Sequence, residues 1–244
     1  MRINKYFTDR GLCSRREADR LIEAGRIRIN GVKAVLGDQV TDDDIVTLDG
    51  KKVMTKQSPV YIMYNKPYGI TCTADQNIAG NIVAAVKHPV RVFPIGRLDK
   101  ASTGLIFLTN DGDIVNKILR AQYGHEKEYE VEVNEEYPDR FLRKMAVGVN
   151  IGDYITKPCA LTRLDEKNFS IILTEGKNRQ IRRMTDACGF KVKRLHRVRI
   201  MNVRIGDLAP GQWKNIPPKE LAELKKNLDE QSVRTESTDI DVEE

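Results

Sequence analysis

Hydrophobic and polar positions in the first 50 residues predict two short helices followed by a hairpin. Residues 3–8 can form a short helix, and Ser14 with Glu17 fits a capping box ahead of apolar residues at helical spacing. The Arg-Ile-Arg-Ile run that follows alternates polar and apolar, and Asn30-Gly31 is a strong signal for a tight hairpin turn. We expect residues 1–50 to form a small unit of their own.

From residue 60 to residue 228 the pattern changes repeatedly between strand-like and helix-like runs. Strands are predicted at residues 60–64, 105–109, 129–133, 170–173 and 198–203, and helices at residues 113–120, 138–146, 178–187 and 217–228. The runs show no regular alternation of strand and helix. The pattern therefore predicts an α+β fold, with a largely antiparallel mixed sheet and flanking helices. Residues 51–59, which are mostly polar, are predicted to be a linker.

The formal charge of +6 is distributed unevenly along the 244 residues. Residues 227–244 hold seven acidic side chains and one arginine, a net charge of −6, so residues 1–226 carry +12. A strongly basic body favours a polyanionic partner. Residues 229–244 are acidic, polar and free of aromatic residues, and we expect them to form a disordered tail.

The composition excludes several other classes of protein. No run approaches the ~18 apolar residues of a membrane span, and the N-terminus lacks the apolar core of a signal peptide, so we expect a cytoplasmic protein. The four cysteines and three histidines have no metal-ligand spacing, and no metal site is expected. Serine-nucleophile and phosphate-binding loop motifs are absent as well.

One charged loop between Gly96 and Leu105 lies between two apolar runs. Asp99 is flanked there by Arg97 and Lys100, which would keep a carboxylate ionised. Functional residues are often found in loops that a rigid scaffold holds. An ordinary exposed loop with local ion pairs explains the pattern equally well.

A second basic segment, residues 174–184, follows a predicted strand. Asn178 can cap the next helix, and Lys177 and Arg179 beside a helix N-terminus suit a phosphate group. Ile181 and Met184 are expected to face the core. A solvated basic helix face is the alternative interpretation.

Two further segments give weaker signals. Residues 127–133 alternate strictly, so Tyr129 shares one face of a strand with Val131 and Val133. Tyrosine at such a position is usually a core residue, although a base could stack on it at the rim of a pocket. The segment from Asn65 to Gly69 fits a turn at the end of a strand.

Taken in their order along the chain, the segments together resemble the pseudouridine synthases of the ribosomal small-subunit synthase A family. The resemblance rests on Gly-Arg-Leu-Asp at 96–99, Asn-Lys-Pro-Tyr-Gly at 65–69, Lys-Glu-Tyr at 127–129 and the basic segment at 175–184. Residues 1–50 are similar to an S4 RNA-binding domain of the αL type. Residues 105–113 and 199–203 look most like the large-subunit synthase F branch. Ser102 stands where many members have threonine.

The resemblance implies catalysis without cofactor or metal. A uridine would be flipped into a pocket, where Asp99 promotes cleavage of the bond between ribose C1′ and uracil N1. Whether Asp99 attacks a carbon or first removes the C2′ proton stays open. Tyr129 would stack on the freed base. Arg182 would pair with Asp99 and keep it ionised.

The resemblance also implies the RNA-binding residues and the partner. Near the site they are Arg97, Leu98, Lys100, Gly176, Lys177, Asn178, Arg179 and Gln180, and in the S4 unit Arg2, Lys5, Arg15, Arg16 and Arg26. We expect a monomer that acts on 23S ribosomal RNA, away from membranes and without a small-molecule cofactor.

Three alternatives remain open at this point. The same chemistry could act on 16S ribosomal RNA or transfer RNA. A non-catalytic S4-type RNA-binding protein would explain the charge but not an ionised aspartate in a basic loop. A nucleoside-cleaving glycosidase would usually need a second carboxylate, which the sequence does not display.

Overall fold

The computed structural model describes residues 1–53, 57–75, 77–119 and 124–240, which form two compact units. The first unit comprises residues 1–60 with the short segments 88–93 and 109–112, and the second comprises the rest. Within the described ranges, no helix has the length and apolar character needed to cross a membrane.

The first unit packs two helices and a small sheet around its own core. Helices α1 and α2 span Ile3–Asp9 and Arg15–Glu23, and the strands are β1 (Ile27–Ile29), β2 (Val32–Lys33), β3 (Val46–Leu48) and β4 (Lys51–Lys52). The strands pair antiparallel in the order β2-β1-β3-β4. Ile3, Phe7, Ala18, Ile22 and Ile27 are buried between these elements.

Local sequence signals account for much of the first unit. The Ser14 hydroxyl accepts a hydrogen bond from the Glu17 amide at 3.2 Å, as a helix cap requires, but the Glu17 carboxylate accepts from Arg20 instead of completing a capping box. Asn30 and Gly31 have φ angles of 50° and 83°, which confirms the predicted turn. Lys51–Lys52 were predicted to belong to a linker, yet they form β4 because the turn before them folds the chain back onto β3.

The second unit is built on one large sheet. Its strands are β5 (Tyr61–Lys66), β6 (Phe93–Ile95), β7 (Thr103–Thr109), β8 (Lys127–Val133), β9 (Ala160–Arg163), β10 (Asn168–Leu173), β11 (Val192–Ile200), β12 (Val203–Arg204) and β13 (Trp213–Asn215). The order is β13-β5-β7-β11-β8-β10-β9, with β12 beside β11 and β6 beside β7. The pair β7–β11 is parallel, while β11–β8, β8–β10, β10–β9 and β5–β13 are antiparallel. The predicted α+β class with a largely antiparallel mixed sheet is confirmed.

Two apolar clusters fill the second unit. The helices are α3 (Ile82–Val86), α4 (Gly112–Leu119), α5 (Asp139–Ala146), α6 (Gln180–Ala187) and α7 (Pro218–Ile240). One cluster joins β5 and β7 to α4 and α7, and the other joins β8 and β10 to α5 and α6. Ile181 and Met184 are buried in the second cluster, as predicted. These clusters fix the strands from which the site is built.

Gly104 permits the close approach of β7 and β11. Its φ angle is +102°, and a Cβ atom there would lie 2.3 Å from the Arg197 carbonyl oxygen. A side chain at this position would therefore force the two strands apart. The contact places Arg197 directly beside β7.

The structure differs from the prediction in several elements. The predicted strand at 198–203 is interrupted, because Met201 adopts a φ angle of 52° in a turn between β11 and β12. The strand β9 and the strand β13 lie outside every predicted run. Residues 229–240, predicted to be disordered, continue α7, since no glycine or proline follows Pro218 to end that helix. The rest of the predicted tail, 241–244, lies outside the described residues.

Candidate active site

A cavity of about 550 Å³ in the second unit brings several predicted site residues together. Its wall includes Asp99 and its loop, Tyr129 on β8, and the segment between β10 and α6. These three segments are far apart in sequence and meet because β7, β11, β8 and β10 are neighbours in the sheet. The cavity is lined by both charged and apolar groups and is of a size that suits a small planar ring.

Asp99 forms its ion pair with Arg179. The distance between Asp99 Oδ2 and Arg179 Nη1 is 3.9 Å, and the two side chains are 34% and 51% exposed. Arg182, predicted to pair with Asp99, instead donates to the Ala101 and Val192 carbonyl oxygens, both at 3.2 Å. The predicted pairing is therefore wrong at the level of direct contact, because Arg182 is half-buried against the loop backbone.

The charge of Asp99 nevertheless acts on Arg182. Burial and the neighbouring Arg179 lower the pKa of Arg182, whereas the Asp99 carboxylate raises it. The two arginines thus have different relations to Asp99. Arg179 lies at ion-pair distance, and Arg182 holds the backbone two residues after Asp99.

The side chain of Lys66 holds the same loop through hydrogen bonds to its backbone. Its side chain is fully buried, and Nζ donates to the carbonyl oxygens of Ser102 at 2.7 Å, Pro67 at 3.0 Å and Lys100 at 3.5 Å. Burial lowers the pKa of Lys66, while the nearby Cys72 and Asp99 raise it. The sequence presented Lys66 as part of an ordinary turn, so its role in the loop was missed.

Tyr129 contacts Arg197, a residue that the sequence analysis did not single out. Arg197 is 4% exposed, donates from Nε to the Leu105 carbonyl oxygen at 2.6 Å, and places Nη1 3.5 Å from the Tyr129 hydroxyl. Its guanidinium carbon lies 5.9 Å from the centre of the Tyr129 ring. One signal could have found it, because Leu195 and Arg197 occupy the inward positions of β11.

Half-buried Lys127 and buried Cys72 also line the cavity. Lys127 donates to the His125 carbonyl oxygen at 2.9 Å, and burial together with the charge of Arg197 lowers the pKa of Lys127 to about 8. Burial raises the pKa of the Cys72 thiol, which accepts a hydrogen bond from the Leu98 amide at 3.4 Å. Leu98, predicted to contact RNA, is itself buried.

The segment between β10 and α6 divides into exposed and buried residues. Gly176, Lys177, Asn178 and Arg179 are exposed at the cavity, as are Arg97 and Lys100 on the opposite loop. Exposed cations at the mouth of a cavity suit phosphate groups.

Gln180 is buried, and its side chain forms hydrogen bonds within the protein. Its Nε2 donates to Glu175 at 2.6 Å and its Oε1 accepts from the Lys177 amide at 3.0 Å, so the predicted contact with RNA does not fit. The predicted cap at Asn178 is also wrong, since α6 begins at Gln180 and Arg179 occupies the cap position.

The basic residues of the first unit are of two kinds. Arg2, Arg15 and Arg16 are exposed. Lys5 is 2.8 Å from Asp9, and Arg26 makes two contacts with Asp49, at 2.9 and 2.5 Å. The exposed arginines are the better candidates for contact with a phosphate backbone.

The composition of the site gives no ligand set for a metal. Among the residues that the structure describes, no three histidine, cysteine, aspartate or glutamate side chains come together as a metal site would need. The cavity wall combines the carboxylates of Asp99 and Glu175 and the rings of Phe107 and Tyr129 with several cations.

Comparison with known proteins identifies both parts of the chain. Residues 60–187 match the family described as RNA pseudouridylate synthase, and residues 1–46 match the S4 domain. The chain is 48% identical over 234 residues to the dual-specificity RNA pseudouridine synthase RluF of Escherichia coli O6:H1, covering 95% of this chain and 81% of that protein.

Two further similarities extend over nearly the whole chain. The ribosomal large subunit pseudouridine synthase B of Bacillus subtilis is 34% identical over 233 residues, covering 92% of this chain and 95% of that protein. A crystal structure of a pseudouridylate synthase superimposes with a TM-score of 0.68 at 28% identity, covering 92% of this chain and 99% of the other.

Proposed function

The chain belongs to the RNA pseudouridine synthase family and carries an S4 domain at its N-terminus, and from this premise we propose that it isomerises a uridine of 23S ribosomal RNA to pseudouridine. The observation that carries the proposal is the position of Asp99, a carboxylate at a cavity that Tyr129 also lines. We further propose that it acts in the cytoplasm as a monomer without cofactor. The relatives named for the large ribosomal subunit and for dual specificity support an RNA substrate of this kind.

The reaction rearranges bonds within one nucleotide. The uridine leaves its stack and enters the cavity, where its ring packs on Tyr129. Asp99 promotes cleavage of the bond between C1′ and N1, and N1 leaves with the electron pair. The base then rotates, C5 bonds to C1′, the C5 proton is lost, and N1 gains a proton. Atoms and electrons balance without an oxidant or reductant.

The surroundings of Asp99 suit a carboxylate that must stay ionised and aimed. The Arg179 guanidinium lies at ion-pair distance from the Asp99 carboxylate, with 3.9 Å between Nη1 and Oδ2. Lys66 and Arg182 hold carbonyl oxygens of the Asp99 loop, so the carboxylate is presented by a fixed backbone. We assign Arg182 this positioning role in place of direct pairing with Asp99.

RNA is held mainly through its phosphates in this proposal. Exposed Arg97, Lys100, Lys177 and Arg179 at the cavity contact the backbone around the flipped nucleotide. The S4 unit binds structured RNA through its shape and phosphates, with Arg2, Arg15 and Arg16 as candidates for the contacts.

The alternative substrates keep the same chemistry. Dual specificity in the name of one relative favours a second RNA substrate, for which transfer RNA is the candidate. A non-catalytic S4-type protein would have no use for a carboxylate at the cavity, because an anion there repels RNA.

Release of tritium from the uracil C5 position tests the function directly. Purified protein is incubated with C5-tritiated 23S, 16S and transfer RNA. We expect release from 23S RNA, and a loss of at least about a thousand-fold for Asp99→Asn, which keeps the shape and removes the charge. Equal release by both proteins would rule out Asp99 as the catalytic group. Binding of all three RNAs without any release would favour the RNA-binding protein.

A further inference from the structure

Arg197 is a buried cation with no carboxylate partner among the described residues. Only 4% of it is exposed, and its Nη2 atom is buried without a hydrogen-bond acceptor. The interactions that it does make are with neutral groups, the Leu105 carbonyl and the Tyr129 hydroxyl. An unpaired buried charge is unfavourable for the fold, so its presence beside a cavity indicates a function.

The two carboxylates of the cavity wall are engaged elsewhere. Asp99 lies at ion-pair distance from Arg179. Glu175 accepts hydrogen bonds from the Tyr154 hydroxyl, the Lys157 amide and the Gln180 side chain. Neither carboxylate neutralises Arg197, and the cavity wall around Tyr129 remains positive.

The field of Arg197 acts within the cavity. Burial lowers the pKa of Lys127, and the charge of Arg197 lowers it further. The same charge opposes the rise that burial causes in the pKa of the Cys72 thiol. Both residues line the cavity with Arg197 and Tyr129. A negative charge that develops near Tyr129 would therefore be stabilised by a cation that is already in place.

We propose that Arg197 is a positioning residue that holds Tyr129 and whose unpaired charge stabilises the uracil anion during isomerisation. This inference rests on the proposed function. When the bond between C1′ and N1 breaks, N1 keeps the electron pair, and the charge spreads over N1 and the two carbonyl oxygens. The bond from C5 to C1′ then uses that electron density, and the charge disappears. Arg197 favours the intermediate stage over both uridine and pseudouridine.

Two RNA substrates and two Arg197 variants test the role. The substrates carry either uridine or 5-fluorouridine at the target position, since fluorine withdraws electrons and makes the detached base a more stable anion. Loss of the target nucleoside is measured in single turnovers by digestion and mass spectrometry. Arg197→Met removes the charge, and Arg197→Lys retains it.

We expect Arg197→Met to lower kcat on the uridine RNA about 100-fold, with little change in KM, as for loss of one group that stabilises a developing anion. On the 5-fluorouridine RNA the loss should be about tenfold or less. Arg197→Lys should recover a large part of the activity on uridine.

Arg199→Met is the matched control on the same strand. Its guanidinium is already paired, at 2.9 Å from Glu126 and 2.8 Å from Glu128. The Arg199→Met variant should leave the ratio of kcat on the uridine RNA to kcat on the 5-fluorouridine RNA unchanged. Thermal unfolding of every variant shows whether the fold is retained.

An equal loss on both RNAs, together with a lowered unfolding temperature, would overturn the proposal and make Arg197 a structural bridge between β7 and β11. Unchanged kcat in Arg197→Met would overturn it as well. If the wild-type protein converts neither RNA, the proposed function fails and this inference with it. If the wild-type protein converts the uridine RNA and Asp99→Asn does not, the proposed function holds. A negative result for Arg197→Met then counts against the role of Arg197 alone.

Discussion

Two basic side chains of the first unit and two of the second are used in opposite ways. In the first unit, Arg15 and Arg16 extend into solvent from the start of α2. In the second unit, Lys66 and Arg197 are buried and donate to backbone carbonyl oxygens. Exposed cations that bind phosphates displace the counterions condensed on the nucleic acid. Buried cations instead fix the backbone and set the local electric field, so a count of charges does not reveal which of them bind RNA.

Among these variants, the largest loss of kcat should come from removing the buried cation of Lys66, which holds the Asp99 loop. Lys66→Met leaves the carbonyl oxygens of Pro67, Lys100 and Ser102 without this donor. We expect kcat to fall about a thousand-fold, or ~4 kcal/mol, because the Asp99 loop is no longer held. Single-turnover kinetics and urea unfolding measure the two consequences.

Lys193→Met, an exposed lysine on β11, is the control for this prediction. The free energy of unfolding of this variant should differ from the wild-type value by less than about 0.5 kcal/mol. Wild-type kcat in Lys66→Met would contradict the idea that Lys66 holds the loop.

The dependence of stability on pH tests another cation of the second unit, the half-buried Lys127. Its folded-state pKa is about 8, against an ordinary value of 10.5. Below pH 8 the residue is charged in both states, and the folded state bears the full penalty. Between pH 8 and 10.5 the unfolded state binds more protons, so stability rises with pH.

Relative to Lys127→Met, the wild-type free energy of unfolding should therefore rise by on the order of 3 kcal/mol across that window. Urea unfolding of both proteins at several pH values measures the difference. Parallel pH curves would show that Lys127 titrates normally.

Arg182→Met should have a smaller effect on turnover than loss of Lys66. Arg182 donates to the Ala101 carbonyl oxygen at 3.2 Å, one of several bonds to that loop. We expect kcat to fall about thirty-fold, or ~2 kcal/mol, with KM unchanged. Arg183→Met is the control, because Arg183 contacts Asp153 and the Ile151 carbonyl instead of the Asp99 loop. A rise in KM alone would mean that Arg182 binds RNA.

The smallest effect should come from the exposed pair in the first unit. The double variant Arg15→Gln, Arg16→Gln should bind RNA about tenfold more weakly at moderate salt, with kcat unchanged. The slope of log affinity against log salt should become shallower by up to about 2. Arg26→Gln should change less, since Arg26 is held by Asp49. An unaltered salt slope in the double variant would remove these arginines from the interface.

Local patterns predicted many elements of the fold but not the contacts within the site. The turn at Asn30-Gly31, the strand containing Tyr129 and the helix containing Ile181 could all be recognised from residues close together in the chain. The choice of Arg179 over Arg182 as the ion-pair partner of Asp99 could not, since both lie at the start of one helix and their side chains differ in burial.

The sequence by itself determined the order of the elements, the basic character of the body, and the loop in which Asp99 lies. These depend on backbone geometry and side-chain polarity over a few residues. Only the tertiary structure decided that Lys66 meets Ser102 and that Arg197 meets Tyr129. Those contacts join residues 36 and 68 positions apart, and they arise from strand order in the sheet, which no local pattern specifies.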